Sequence, residues 1–401
     1  MTAQQDAQAV SVTAPQPGTA TPFPGAVPVR KPPRKVHLLG RDVTVLWPNR
    51  SDPRVKLFVI IVALQVLGQT VLNFKVSIAQ ILVTMGVCLA LELGVFFFRD
   101  NLIAWPASAL QTGNSVAFIL RASGTEHGDW WSLNGIQYFI LAAVLSLLSK
   151  YVIRPGGNHI FNPSNIGIVA TLLIVGPRFT FPQPLWWGPL SWQVVAAIAV
   201  IVMGALWLLR KPVGMIPMAV SFLVPFYTFI GILALSGRSF IAAWHPTPIS
   251  GFDYWVDICI SPEVFIFVFF MMSDPRTAPR SARGRVIYGP AVAVVSTLLL
   301  AFQPTEFGVK LGILSGLTLV SGFVPLIEHV SRRITAMRAR TPVATAPALP
   351  RPSLRSRLTT AVLTPAVVAT VVIAVSAPAV TTSLVGNRVV VEVEQGIVNP
   401  Q

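Results

Sequence analysis

Apolar positions along this chain are gathered into long unbroken runs, with the polar residues confined to the gaps between them. The runs cover residues 57–73, 77–98, 103–120, 135–152, 160–176, 191–209, 213–235, 258–273, 287–303, 308–327 and 360–378. Most approach the roughly 20 residues that a helix needs to cross a hydrocarbon core of about 30 Å. They predict an all-α fold, a polytopic membrane helical bundle of about ten helices followed by one extra C-terminal transmembrane helix. The run at 258–273 is the most sharply punctuated. Ser261 suits an N-cap, Pro262 the first helical position and Glu263 the positive end of a helix dipole, while Asp274-Pro275 closes the run, so a short or broken membrane helix is expected.

Composition removes the soluble alternative. Of 401 residues 53% are hydrophobic and only 11% charged, against about a quarter charged in ordinary soluble domains, and the mean hydropathy is +0.67. The formal charge of +15 would suggest nucleic acid in a soluble protein, but here the basic residues fall in particular gaps between apolar runs, and no nucleic-acid partner is expected. Alternation from a cytoplasmic N-terminus puts Arg99, Lys150, Arg154, Arg210, Lys211, the arginines of 276–285 and those of 332–357 on one side. Glu126, Asp129, Asp253, Asp257, Glu263 and Glu306 then fall on the other, together with Trp130-Trp131, Trp186-Trp187 and Tyr254-Trp255 as interfacial aromatics. The expectation is a multi-pass protein of a bacterial inner (plasma) membrane with its C-terminus outside. Four parts are expected: a disordered basic tail over 1–56, a transmembrane core over 57–330, a basic cytoplasmic linker over 331–359, and the extra helix with a short outside tail over 360–401. No cleavable signal peptide is expected, because the basic cluster at 30–35 precedes a polar segment.

Two loop-to-helix stretches look alike. Ile160-Phe161-Asn162-Pro163 leading into 169–173 and Ile287-Tyr288-Gly289-Pro290 leading into 295–299 lie about 127 residues apart, each behind a basic, glycine-containing loop. Internal repeats of this kind occur in transporter folds, whose sites lie at broken helices; by the alternation above the two helices would run in parallel. Chance similarity explains the pair equally well.

Three polar sets stand out against the apolar background. The first is Thr112, Asn114 and Ser115, with Ser108 and Gln111, inside the third run. Asn162 and Asn165 at the start of the fifth run form the second, where amides and free N–H groups could meet an anionic or carbonyl-bearing ligand. The third comprises Asp274 and Thr277 beside Arg276, with Glu263 as an ion or proton candidate. Hydrogen-bonded packing, helix termination and capping account for the same residues without any ligand. No catalytic motif is present, and Cys88 and Cys259 have no metal-ligand spacing, so no metal is predicted.

SALQTGNSVAFIL (108–120), KYVIRPGGNHIFNPSNIG (150–167) and MMSDPRTAPRSARGRVIYG (271–289) resemble, in order and spacing, three blocks of the RnfD/NqrB membrane subunits of ion-pumping, flavin-containing oxidoreductases. The resemblance covers about residues 57–330. It implies a urea-channel-like helical bundle, redox or biosynthetic partner proteins, and cofactor contacts from the polar sets just named. Family members tether flavin mononucleotide through phosphate to the threonine of a Ser-Gly-Ala-Thr-like tetrapeptide. No such tetrapeptide occurs here, and counting back from Asp274 the matching residues are Ser261, Pro262, Glu263 and Val264, which end in a side chain without a hydroxyl. The resemblance therefore implies no covalent FMN and leaves non-covalent FMN or riboflavin. The Ala/Pro-rich tails resemble the diverged, UnbU-type branch associated with enediyne biosynthesis in actinobacteria. Three readings stay open at this point: an electron-transfer subunit, a small-molecule transporter or channel on the same scaffold, and a membrane anchor for biosynthetic enzymes.

Overall fold

The computed structural model describes residues 34–38, 40–46, 53–154, 157–183, 191–209 and 215–338. The extra helix expected at 360–378, the linker beyond 338, most of the N-terminal tail, Trp186-Trp187, Arg210 and Lys211 lie outside those residues. The elements run β1 (Arg34–Leu38), β2 (Arg41–Leu46), α1 (Pro53–Thr70), α2 (Ile78–Asp100), β3 (Leu102–Ala104), α3 (Ala107–Ile119), β4 (Leu120–Ala122), α4 (Ile136–Val152), α5 (Pro163–Val175), β5 (Thr180–Pro182), α6 (Trp192–Leu209) and α7 (Ile216–Leu235). They continue with β6 (Ser239–Phe240), β7 (Ile249–Ser250), α8 (Gly251–Cys259), α9 (Pro262–Ile266), a π-helical stretch Phe267–Met272, α10 (Ala282–Leu300), α11 (Glu306–Gly322) and α12 (Val324–Arg338). The all-α, polytopic membrane bundle read from the apolar runs is the observed fold.

By length and composition α2, α7, the interrupted helix Gly251–Met272 and α10 can each cross a membrane, and α11 with α12 adds another if that bent pair is one span. Outward residues such as Leu82, Val195, Met203, Val220, Val224 and Ile232 are exposed and apolar, as contact with lipid requires. At 13 residues each, α3 and α5 rise only about 20 Å, short of a full crossing. Their C-terminal ends are tied together by antiparallel β4 and β5, with Arg121 opposite Phe181. That pairing satisfies backbone groups which would otherwise be unpaired where the helices stop.

The helices form two sets with one packing pattern. In the first, α2 packs on α3 and α4, α4 on α5 and α1 on α3; in the second, α7 packs on α8 and α10, α10 on α11 and α6 on α9. Across the seam α1 meets α6 and α5 meets α11. A repeat is thus present in the packing, but not between the stretches that looked alike. Pro163 opens α5, whereas Pro290 lies inside α10, and α5 corresponds by its contacts to α11. Corresponding helix pairs also share a device. Gly167 lets α5 approach α4 and Gly316 lets α11 approach α10: an added Cβ would lie 2.6 Å from the Ala142 carbonyl oxygen in the first case and 2.7 Å from Ser296 Cα in the second. Gly316→Ala is therefore expected to lower stability by about 1–3 kcal/mol through overpacking. Gly86→Ala on α2, where nothing lies within 4 Å, should not lower it. Thermal unfolding of the two variants in detergent separates the effects.

Several expectations are corrected. Disorder through residue 56 does not hold at Arg34–Leu38 and Arg41–Leu46, where β1 pairs antiparallel with β2 and β2 parallel with β3. Arg41 seals this sheet to the end of α2 by donating to the Phe98 carbonyl at 3.0 Å, a contact that local composition does not reveal. Residues 331–338, expected as linker, continue α12, which leaves α11 at a bend of 58° and is fastened to α10 through Ser281 and Glu328. Tyr254-Trp255 is not an interfacial pair: Tyr254 is buried, and Trp255 Nε1 donates to the Tyr227 carbonyl at 2.9 Å, binding α8 to α7. Lys150 is not a loop cation, since it is buried against Glu92. Both Cys88 and Cys259 are buried free thiols.

Candidate functional site

The broken span positions the site. Ser261 caps α9, its Oγ accepting from Val264 N at 3.3 Å, with Pro262 behind it as the sequence suggests. Glu263 thereby stands in the first turn, and the helix then widens into the π-helical stretch, which frees carbonyls from the regular ladder. Met271 O accepts from Asn162 Nδ2 at 3.2 Å, and Ser273 Oγ donates back to the Phe269 carbonyl. Facing α9 is the start of α11, capped by Thr305, whose Oγ1 accepts from Gly308 N at 3.2 Å. Glu306 and Lys310 fall one turn apart on one face of α11.

These pieces close around Lys310. Its ammonium lies 2.8 Å from Glu263 Oε1, 2.6 Å from Glu306 Oε1 and 2.9 Å from the Gln183 carbonyl oxygen just past β5. The Lys310 side chain is 2% exposed, Glu306 11% and Glu263 23%, so Glu263 is the member nearest the surface. Trp244 Nε1 holds the other Glu306 oxygen at 3.1 Å. An ammonium at this depth loses its hydration; it donates to Glu263 Oε1 and to the Gln183 carbonyl, with Glu306 Oε1 beside it as an ion-pair partner.

Beside the triad lies a cavity of about 50 Å³, lined by Phe118 and Ile119 at the end of α3, by Pro182 and Gln183, by Glu263, Val264, Ile266, Phe267 and Met271, and by Lys310, Ile313 and Leu314 of α11. It sits on the seam, between the short helix of one set and the broken helix of the other. Gln183 is 1% exposed, and neither its amide nitrogen nor its amide oxygen has a hydrogen-bond partner among the described residues.

Of the residues singled out by sequence, Glu263 alone borders this cavity. Thr112 donates to Ser108 O at 2.8 Å and Ser115 accepts from Gln111, both within α3. Asn114 is fully buried, and neither of its amide atoms has a hydrogen-bond partner among the described residues. Asn162 caps α5, accepting from Asn165 N at 3.3 Å, and Asn165 joins α5 to α11 by donating to Leu314 O and Thr318 Oγ1, each at 2.9 Å. Asp274 closes a turn, accepting from Arg276 N at 3.0 Å through Oδ1 and from Thr277 N through its carbonyl; burial raises its pKa above the usual carboxylate range, against the pull of Arg276. Asn162 and Asn165 thus meet the third block and α11, while Thr112, Asn114 and Ser115 stay within the first set. His159, in the loop before α5, is pushed down to about 4 by burial and by Lys150, Arg276 and Arg154.

Sequence reading missed Lys310, Gln183 and Glu92. Lys310 had a signal, a lysine one turn after a glutamate at the head of an apolar run. Glu92 had one as well, a lone acid inside the second run, and it takes Lys150 at 2.9 Å through both carboxylate oxygens, with Ser108 Oγ accepting from the same ammonium at 3.0 Å. Gln183 had none.

Fold and site together define a polytopic helical membrane protein with a polar-edged cavity on the seam between two sets of helices. Residues 184–336 match the family described as NQR2, RnfD, RnfE, a span that takes in α6 to α11 and most of α12. The match supports an RnfD/NqrB-like membrane subunit. It contains the block at 271–289 and Val264, while the blocks at 108–120 and 150–167 lie before it. No curated protein matches the chain.

Proposed function

We propose that the protein is an RnfD/NqrB-like membrane subunit whose working part is the seam, used as a route for a small solute. The observation that carries this reading is the cavity, bounded by a short helix of one set and the broken helix of the other and edged by a largely buried ion cluster. Broken helices meeting at a repeat interface are the arrangement by which membrane proteins build passage sites. This reading takes the Arg99, Arg154 and Arg276 ends, and with them the N-terminus, as cytoplasmic, on the excess of arginine there.

Electron transfer through non-covalent FMN or riboflavin is the second reading, favoured by the family match over 184–336. The cavity does not suit that group. At about 50 Å³ it is far below the roughly 300 Å³ at which pockets for sizeable ligands begin. Val264, where the resemblance places the tethering residue, is buried in its wall. The enediyne setting and the UnbU-like branch rest on the resemblance of the tails, and partner redox or biosynthetic proteins on the family's habit of working in complexes.

Val264→Cys, in a background with Cys88 and Cys259 replaced by alanine, tests the seam. In proteoliposomes a small thiol reagent is expected to arrest solute flux through this variant and leave the background protein untouched. Flux that persists after full labelling, or purified protein carrying stoichiometric flavin absorbance, would favour the electron-transfer reading instead.

A further inference from the structure

We infer that α12 is an interfacial helix that binds anionic phospholipid headgroups in the leaflet at the Arg276–Arg285 end of the bundle. This goes beyond the seam reading and stands without it, since no residue of α12 lines the cavity. The way α12 divides its circumference, and the charge around it, select that partner.

With 15 residues α12 is about 22 Å long, and it carries Glu328, His329, Arg332, Arg333 and Arg338. A helix so short and so charged does not cross a hydrocarbon core, and the bend of 58° after α11 turns it aside. Three strips run along it at helical spacing. Buried Ile327 and Ser331, with Glu328 and Thr335, fix it to α10: Glu328 Oε1 accepts from Ser281 N at 2.8 Å, and Arg283 donates to Thr335 Oγ1 at 2.7 Å. His329, Arg332 and Arg333 make an exposed polar strip. Leu326, Val330 and Met337 make the third, with Phe323 at the bend in line with them. All four are exposed, Leu326 at 57% and Met337 at 74%. An apolar strip on one side and a cationic strip on the other is the division that holds a helix in the plane of a membrane surface.

Continuity with the lipid-facing surface of the bundle names lipid as the occupant. Val286 and Val294, three and eleven residues after Arg283, are exposed and share its flank of α10, so the bond from Arg283 to Thr335 brings α12 to that flank. Charge then selects the headgroup. Residues 275–285 and 324–338 hold seven arginines, and their one acid, Glu328, already accepts from Ser281. Arg276, Arg280, Arg332 and Arg333 are exposed. Guanidinium groups pair with phosphate oxygens through two parallel N–H donors, while the acyl chains below cover Leu326, Val330 and Met337. A zwitterionic headgroup brings its own cation to the same place, so an anionic headgroup is favoured. A protein partner would have to enter the edge of the hydrocarbon to cover the same strip.

Fluorophores on Leu326→Cys, Met337→Cys and His329→Cys test both halves, each in the full chain with Cys88 and Cys259 replaced by alanine. The labelled proteins are placed in phosphatidylcholine vesicles holding a minority of phosphatidylglycerol, with a quencher near the top of the acyl chain of one lipid or the other. All three positions are exposed, so melting with the unlabelled background is expected. Quenching should be several-fold stronger at 326 and 337 than at 329. Carried on phosphatidylglycerol, the quencher should act several-fold more strongly than on the same fraction of phosphatidylcholine. Arg280→Gln, Arg332→Gln and Arg333→Gln together should bring that ratio close to one. Equal quenching at the three positions overturns the interfacial placement. No preference for phosphatidylglycerol, or a preference that survives loss of the arginines, overturns the headgroup site. A label at 337 shielded from both lipids means that a protein or a second copy covers the strip, and overturns the inference as well.

Discussion

Lys310→Met is expected to destabilise the protein by about 3–5 kcal/mol, the cost typical of removing one partner from a buried ion pair. The methionine fits the space of the lysine stem, so lost packing contributes little. What remains is Glu306 on α11 and Glu263 on α9, two carboxylates that the ammonium had held at 2.6 and 2.8 Å, with the Gln183 carbonyl left unpaired as well. The seam between the broken helix and α11 should loosen first. Adding Glu263→Gln and Glu306→Gln to the methionine variant should recover much of the loss, since neutral amides do not repel one another and can pair with the freed carbonyl. Thermal unfolding in detergent, followed for the parent, the single variant and the triple variant, measures both steps. A single variant that melts with the parent would mean that the two acids are already neutral or separated, contrary to the contacts seen here.

Lys150→Met should show a comparable loss, again about 3–5 kcal/mol, with a different consequence for function. Glu92 is 2% exposed and Lys150 9%, so the pair is sealed among α2, α4 and the start of α3. Stripped of its ammonium, Glu92 keeps a buried charge with no compensating cation. Replacing both partners, as Glu92→Leu with Lys150→Met, is expected to restore the parent stability to within about 1 kcal/mol, because a matched apolar pair avoids the desolvation of two ions. Neither residue borders the seam cavity, so the double variant should retain solute flux where Lys310→Met loses it. If the double variant is as unstable as the single one, the pair contributes through something other than its mutual charge.

The contrast between these two ion clusters shows how far the residues could be read in advance. Ser261, Pro262 and the Asp274-Pro275 stop were legible because capping and proline geometry act over three or four residues. Lys150 was misread for the same reason: next to Arg154 at the end of an apolar run it has the local signature of a loop cation, and only its meeting with Glu92, 58 residues earlier, makes it an interior one. Glu263 could be flagged as a lone acid, but its partner Lys310 lies 47 residues on and the cavity wall at Gln183 another 127 before that. Tyr254-Trp255 went the same way, being amphipathic aromatics that pack on α7 instead of facing an interface. The repeat was sensed, yet assigned to two resembling tetrapeptides, because equivalence between α5 and α11 resides in what each packs against.

The succession of apolar runs by itself determined that the chain is a helical membrane bundle, roughly where α1 to α7, α10 and α11 fall, and that the span about Ser261 is short or broken. Each of those follows from burial and backbone geometry within a single stretch. Tertiary structure alone decided which polar residues share a site, because an ion cluster, an unpaired carboxamide and a seam cavity arise only when distant helices are brought into contact, and the strength of each interaction depends on how completely water is excluded there.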